Sequence, residues 1–81
     1  MKRDEVLDLV RAHLAEELEV DPAEIAGGTR FKQDLDADSL DLYELVMELE
    51  DNYGISVSEQ QAARIETVGD AVAFVLEHSP A

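Results

Sequence analysis

Apolar residues recur along this chain at helical spacing. Between about residues 3 and 18, Val6, Leu7, Val10, Leu14 and Leu18 fall on one arc of a helical wheel, with Glu16 outside it, which predicts a first amphipathic helix. Asp21-Pro22-Ala23-Glu24 supplies a cap, a proline and an acid, but Gly27-Gly28 follows at once, so only one short turn fits there. From Gly27 to Asp38 the chain is polar, with Phe31 and Leu35 as single apolar anchors. A connection this long in a small domain is usually functional.

A second helix is predicted from Ser39 to about Tyr53, with Asp38 as its cap, Asp41 three residues on and Gly54 as its stop. Ser58-Glu59-Gln60-Gln61 is a capping box for a short third helix reaching about Arg64. Thr67-Val68-Gly69-Asp70 opens a fourth through about Glu77, with Val68, Ala71, Val72 and Val75 on one face. Ile55-Ser56-Val57 alternates like a strand but has no partner strand, and is assigned to a loop. Ser79-Pro80-Ala81 reads as a frayed end. The expected fold class is therefore all-α: four helices in a bundle, a long loop between the first two, and one domain over residues 1–81.

The second helix has more apolar surface than one core needs. Leu42, Leu45, Val46, Leu49 and Tyr53 make the expected inward stripe, and Asp41, Glu44, Glu48 and Asp51 lie roughly opposite. Leu40, Tyr43 and Met47 form a separate strip beside the carboxylates. It is either the flank of a wide core face or a surface for a basic partner, with apolar contacts holding the complex and charge steering its approach.

Composition sharpens this picture. The 81 residues are 46% hydrophobic, too apolar for a disordered acidic tail, yet too few to enclose a deep catalytic cleft. Twenty acidic residues oppose six basic ones, for a net charge of −14, which argues against nucleic-acid or anionic-membrane partners. Between Lys32 and Arg64 every charged residue is an acid: Asp34, Asp36, Asp38, Asp41, Glu44, Glu48, Glu50, Asp51 and Glu59. No Cys is present, so thiol chemistry requires a cofactor. His13 and His78 make no metal site and no catalytic set with Ser39, which is not in a Gly-x-Ser-x-Gly elbow. With no long apolar run and no apolar leader after Met1-Lys2-Arg3, a cytoplasmic monomer is the expectation.

The run Asp34-Leu35-Asp36-Ala37-Asp38-Ser39-Leu40-Asp41-Leu42-Tyr43-Glu44-Leu45-Val46-Met47 closely resembles the attachment motif and second helix of bacterial acyl carrier proteins. The likeness continues through Leu49-Glu50-Asp51, Tyr53-Gly54-Ile55 and Ile65-Glu66-Thr67-Val68-Gly69-Asp70-Ala71-Val72. It implies a carrier of fatty acyl thioesters that is not an enzyme. Ser39 would receive 4′-phosphopantetheine from a phosphopantetheinyl transferase, the holo-acyl-carrier-protein synthase. Asp38, Leu40, Asp41, Tyr43, Glu44, Met47, Glu50 and Asp51 would meet the basic surfaces of ketoacyl synthases, reductases, dehydratases and acyltransferases. Val46, Leu49, Val57, Ile65 and Ala71 would line a pocket for the acyl chain, although the same residues would be ordinary core in a domain carrying none.

Three departures from the family pattern stand out. Asp36 replaces a usual Gly, Tyr43 a usual aliphatic residue, and Ser58, Gln60, Gln61 and Ala63 a commonly more acidic stretch. Other readings remain: a discrete polyketide carrier, a cofactor-free acidic helical adaptor, or a calcium-binding protein. For the last, Asp34, Asp36 and Asp38 match positions 1, 3 and 5 of a calcium loop, but Ser39 stands at the glycine position and Leu45 at the bidentate glutamate.

Overall fold

The structure, a computed structural model, describes residues 2–78. It contains α1 (Arg3–Leu18), a 3₁₀ turn (Pro22–Glu24), α2 (Ser39–Tyr53), α3 (Glu59–Ala63) and α4 (Val68–His78). The helical architecture expected from the periodicity is thus present among the described residues, and residues 55–57 are loop. The end expected to fray, 79–81, lies outside the described residues.

Local chemistry accounts for the helix ends. Asp38 Oδ1 accepts from Asp41 N at 3.0 Å while Asp41 Oδ2 accepts from Asp38 N at 3.0 Å, so one reciprocal pair satisfies two backbone donors and starts α2. Gly54 ends that helix at φ +64°, a left-handed conformation that costs glycine nothing. Ser58 and Gln61 repeat the box at α3. Asp70 Oδ2 receives both Glu66 N and Thr67 N at 3.1 Å, fixing the entry to α4.

Val6, Val10 and Leu14, one turn apart on α1, are fully buried against Val68, Ala71, Val72 and Val75 of α4 and Leu45 and Leu49 of α2. Removing each large side chain from water stabilises the fold by about 1.5–3 kcal/mol before entropy is counted. α1 packs most extensively on α4 and less on α2. Of the stripe predicted on α2, Leu45, Val46 and Leu49 are buried, whereas Leu42 and Tyr53 are half-buried. Burial and the charge of Glu5 push the Tyr53 phenol up, so it stays neutral.

The long loop is more firmly pinned than its polar sequence implies. Ile25, Phe31 and Ala37 are buried, and Leu35 is half-buried. Backbone bonds tie the loop to the α3–α4 connection: Phe31 N to Glu66 O at 3.0 Å, Val68 N to Thr29 O at 2.9 Å, and Gly69 N to Gly27 O at 2.7 Å. Arg30 and Thr67 form an isolated antiparallel bridge. Arg11 Nε adds a bond to Ile25 O at 2.9 Å. These contacts carry the chain to Ser39 on a fixed path.

Glu17 shares the apolar side of α1, between Val6 and Val10 on the helical wheel. It is half-buried, with Oε2 2.8 Å from His13 Nε2, both atoms screened from solvent and not aligned as a hydrogen bond.

Candidate functional site

Ser39 is the first residue of α2 and is exposed. Among the described residues its hydroxyl has no hydrogen-bond partner, and the N–H groups of Ser39 and Leu40 have no protein acceptor. Asp41 N is taken by the cap and Leu42 N donates to Asp38 O at 3.2 Å. Two free N–H groups and the positive end of a fifteen-residue helix therefore meet at this hydroxyl, a setting that favours an anion attached there. No His faces Ser39 across a hydrogen bond, so the residue is presented without a base of its own.

Down the same helix, Leu40, Tyr43 and Met47 are 64%, 51% and 58% exposed. The apolar strip is thus an outer surface and not the flank of the core. Glu44 and Asp51 are exposed beside it. Three other carboxylates assigned to this face already have internal work. Asp38 and Asp41 close the cap, and Glu50 Oε2 accepts from Val57 N at 2.9 Å, bracing the α2–α3 loop. Sequence spacing alone gave no sign of the Glu50 brace.

A cavity of about 240 Å³ opens beside Ser39, bordered by Lys32, Leu42, Tyr43, Val46, Glu59, Ala62 and Ala63. A second, of about 190 Å³, is bordered by Phe31, Lys32, Gln33, Leu42, Ala62, Ala63, Ile65 and Glu66. Val46 and Ile65, named as pocket candidates from sequence, border one cavity each. Leu49 and Ala71 lie in the packed core, and Val57 is half-buried against it, all three away from both cavities. Leu42, expected in the core stripe, and Ala62 and Ala63 border both openings but were not among the pocket candidates, since a small alanine carries no periodic signal of its own.

The calcium-like spacing does not bring its aspartates together. Asp34 is held by Arg30, whose Nη2 lies 3.2 Å from Oδ1 and whose backbone N donates to Oδ2 at 2.8 Å. These bonds hold the Asp34 carboxyl below the usual carboxylate range. The acidic groups that do converge are Glu17, Asp41 and Glu44, each with an oxygen within 4.8 Å of the others, where α1 faces α2. No helix among the described residues is long and apolar enough to cross a membrane.

The family model described as "Phosphopantetheine attachment site" matches residues 8–75. The acyl carrier protein of Rubrobacter xylanophilus is 43% identical over 81 residues, covering all of both chains. That of Lactobacillus acidophilus is 40% identical over 78 residues, covering 96% of this chain and 98% of its own. The solved acyl carrier protein of Enterococcus faecalis superposes with a TM-score of 0.83 at 37% identity, covering 98% of this chain and all of its own. A free hydroxyl, two open N–H groups and an adjacent apolar cavity suit a phosphodiester-linked arm, whose terminal thiol supplies the thioester chemistry that a chain without Cys lacks. By sequence and by fold, the chain belongs to the acyl carrier proteins, which carry acyl groups on 4′-phosphopantetheine and are not enzymes.

Proposed function

We propose that Ser39 is the attachment point, that residues 1–81 work as a single carrier domain, and that the acyl groups are the growing chains of fatty acid synthesis in the cytoplasm. The observation that carries the assignment is the exposed Ser39 hydroxyl at the α2 N-terminus, free of hydrogen bonds among the described residues and next to an apolar cavity. Ser39 Oγ would bond to a phosphorus of the coenzyme A pyrophosphate as adenosine 3′,5′-bisphosphate leaves. The transferase supplies the base and the metal ion. This chain supplies a reachable hydroxyl and a helix N-terminus that favours the product's charge.

The partner surface in this reading is the exposed strip Leu40, Tyr43 and Met47 with Glu44 and Asp51 at its edge, supported by an exposure that the core leaves unexplained. Asp38, Asp41 and Glu50 add negative field there while serving the cap and the loop brace. The acyl chain would enter between α2 and α3, past Leu42 and Val46. Basic-faced synthases, reductases, dehydratases and acyltransferases are the matching partners.

Intact-mass spectrometry after incubation with coenzyme A and a phosphopantetheinyl transferase tests the attachment point. The wild type should gain one phosphopantetheine and Ser39→Ala none; an unmodified wild type sinks the assignment. For the partner face, replacing Glu44 and Asp51 together by Lys should slow transfer to a ketoacyl synthase by about tenfold or more at low salt, mostly through association. Unchanged kinetics would refute it.

A further inference from the structure

Lys32 is an unabsorbed feature of this site. The chain has six Lys and Arg residues: Lys2, Arg3, Arg11, Arg30, Lys32 and Arg64. Arg30 is engaged by Asp34, and Arg11 by Ile25 O and Asp8. Lys32 makes no ion pair among the described residues and is exposed, yet it borders the same cavity as Ser39, where no other Lys or Arg does. In a chain of net charge −14, a free cation beside the proposed attachment hydroxyl is a specific placement.

Its backbone is held as firmly as its side chain is free. Phe31, the preceding residue, is 1% exposed and bonds through its N–H to Glu66 O at 3.0 Å and through its O to Ala37 N at 2.9 Å. Asp34 N and Leu35 N both return to Arg30 O, at 3.1 and 3.2 Å, closing the turn around Lys32. The four-carbon stem can lie along the apolar walls while the ammonium reaches for charge. Lys32 also borders the second cavity, which shares Leu42, Ala62 and Ala63 with the first.

A phosphodiester on Ser39 would place a negative charge beside Asp38 and Asp41, whose carboxylates are bound into the cap and cannot swing away. The helix end offsets only part of that repulsion, and one of its N–H groups is already spent on Asp38. Resting on the reading that Ser39 carries the arm, we infer that Lys32 is a positioning residue for it: its ammonium pairs with the phosphodiester and biases the arm toward the α2–α3 cavity and away from the Leu40, Tyr43, Met47 strip. An exposed pair of this kind shifts the arm's distribution by less than about fivefold, and salt at the molar level removes the bias. The effect is thus a reversible bias that a partner's basic surface overcomes.

The test compares apo and holo forms of the wild type, Lys32→Gln and Lys32→Arg, with loading of each verified by intact mass. On conversion to holo, the wild type should show a shift of the Lys32 ammonium resonance and of the Ala62 and Ala63 amides. In holo Lys32→Gln the Ala62 and Ala63 shifts should fall by at least half and the ³¹P resonance should move. Lys32→Arg should keep the wild-type pattern, and 1 M salt should give the wild type the Lys32→Gln pattern. Fully loaded Lys32→Gln with wild-type ³¹P, Ala62 and Ala63 positions overturns the role of Lys32 alone. A wild type that takes up no group overturns the Ser39 assignment and this inference with it.

Discussion

The α1–α4 side and the α2–α3 side of this protein are built on different terms. On the first, Val6, Val10 and Leu14 meet Val68, Ala71, Val72 and Val75 with nothing of any of them left in solvent. On the second, α3 contributes no fully buried residue, its five residues are held by a capping box and half-buried Ala62, and two cavities open beside it. The outer face of α2 leaves Leu40, Tyr43 and Met47 in water. Burial is concentrated on the first side, and the looser packing lies on the side that carries Ser39. A marginal 81-residue domain can tolerate such an open side only because the other is tightly closed.

Truncation on each side should break that symmetry most visibly. Leu14→Ala, in the closed side, should cost about 3 kcal/mol, while Met47→Ala, an outer truncation of similar size, should cost under about 0.5 kcal/mol. Urea unfolding of both variants checks this. Equal losses would mean that the two sides share one core and the contrast is false.

Next in size is Gly69→Ala, which probes how the loop is tied to the closed side. A Cβ at Gly69 would come within 2.7 Å of Gly27 O, the atom that accepts the Gly69 N–H. The substitution should therefore lower stability by about 1–3 kcal/mol, although an alanine in an unobstructed helix would raise it. A rise in the thermal midpoint would show that the clamp between the loop and α4 yields easily.

Backbone conformation separates the sides more finely. Glu19 ends α1 at φ 55°, and Asp36 precedes α2 at φ 54°. Glu19→Gly should stabilise by about 0.5 kcal/mol, through relief of left-handed strain and removal of a negative charge from a helix C-terminus, offset by the unfolded chain's extra freedom. Asp36→Gly should come close to neutral, since aspartate tolerates that conformation better. A larger gain at Asp36 than at Glu19 would place the greater strain next to Ser39, and chemical denaturation of the two variants decides between these outcomes.

Asp36 also marks how far the sequence could be read. It stands where the family usually has glycine, and its left-handed φ is a conformation that glycine adopts freely, but the sequence alone did not give that conformation. The helix starts at Asp38 and Ser58 were legible because a capping box is local, complete within four residues. The strip Leu40, Tyr43, Met47 was legible as surplus apolar surface, and its exposure resolved which alternative holds. Hidden from the sequence were pairings between residues far apart: Phe31 with Glu66, Gly27 with Gly69, and Glu50 with Val57. No local pattern encodes them, since each exists only once the elements have packed.

The smallest expected effect concerns the loop that joins the two sides. Arg30 holds Asp34 through side-chain and backbone hydrogen bonds, so the carboxyl titrates below its ordinary value of 3.8. A depressed folded value means that the unfolded chain takes up the proton first as pH falls. The pair's contribution is therefore full above the unfolded value and disappears as pH drops through the folded one. Both partners are exposed, so the contribution is modest and screened by salt. The difference in urea midpoint between the wild type and Asp34→Asn should be constant above about pH 5 and shrink progressively at lower pH. Subtracting the variant cancels the titration of the other carboxylates, which a chain of this acidity makes necessary. A difference that instead grows on acidification would reverse the sign and show that the Arg30–Asp34 pair does not hold the loop in its folded path.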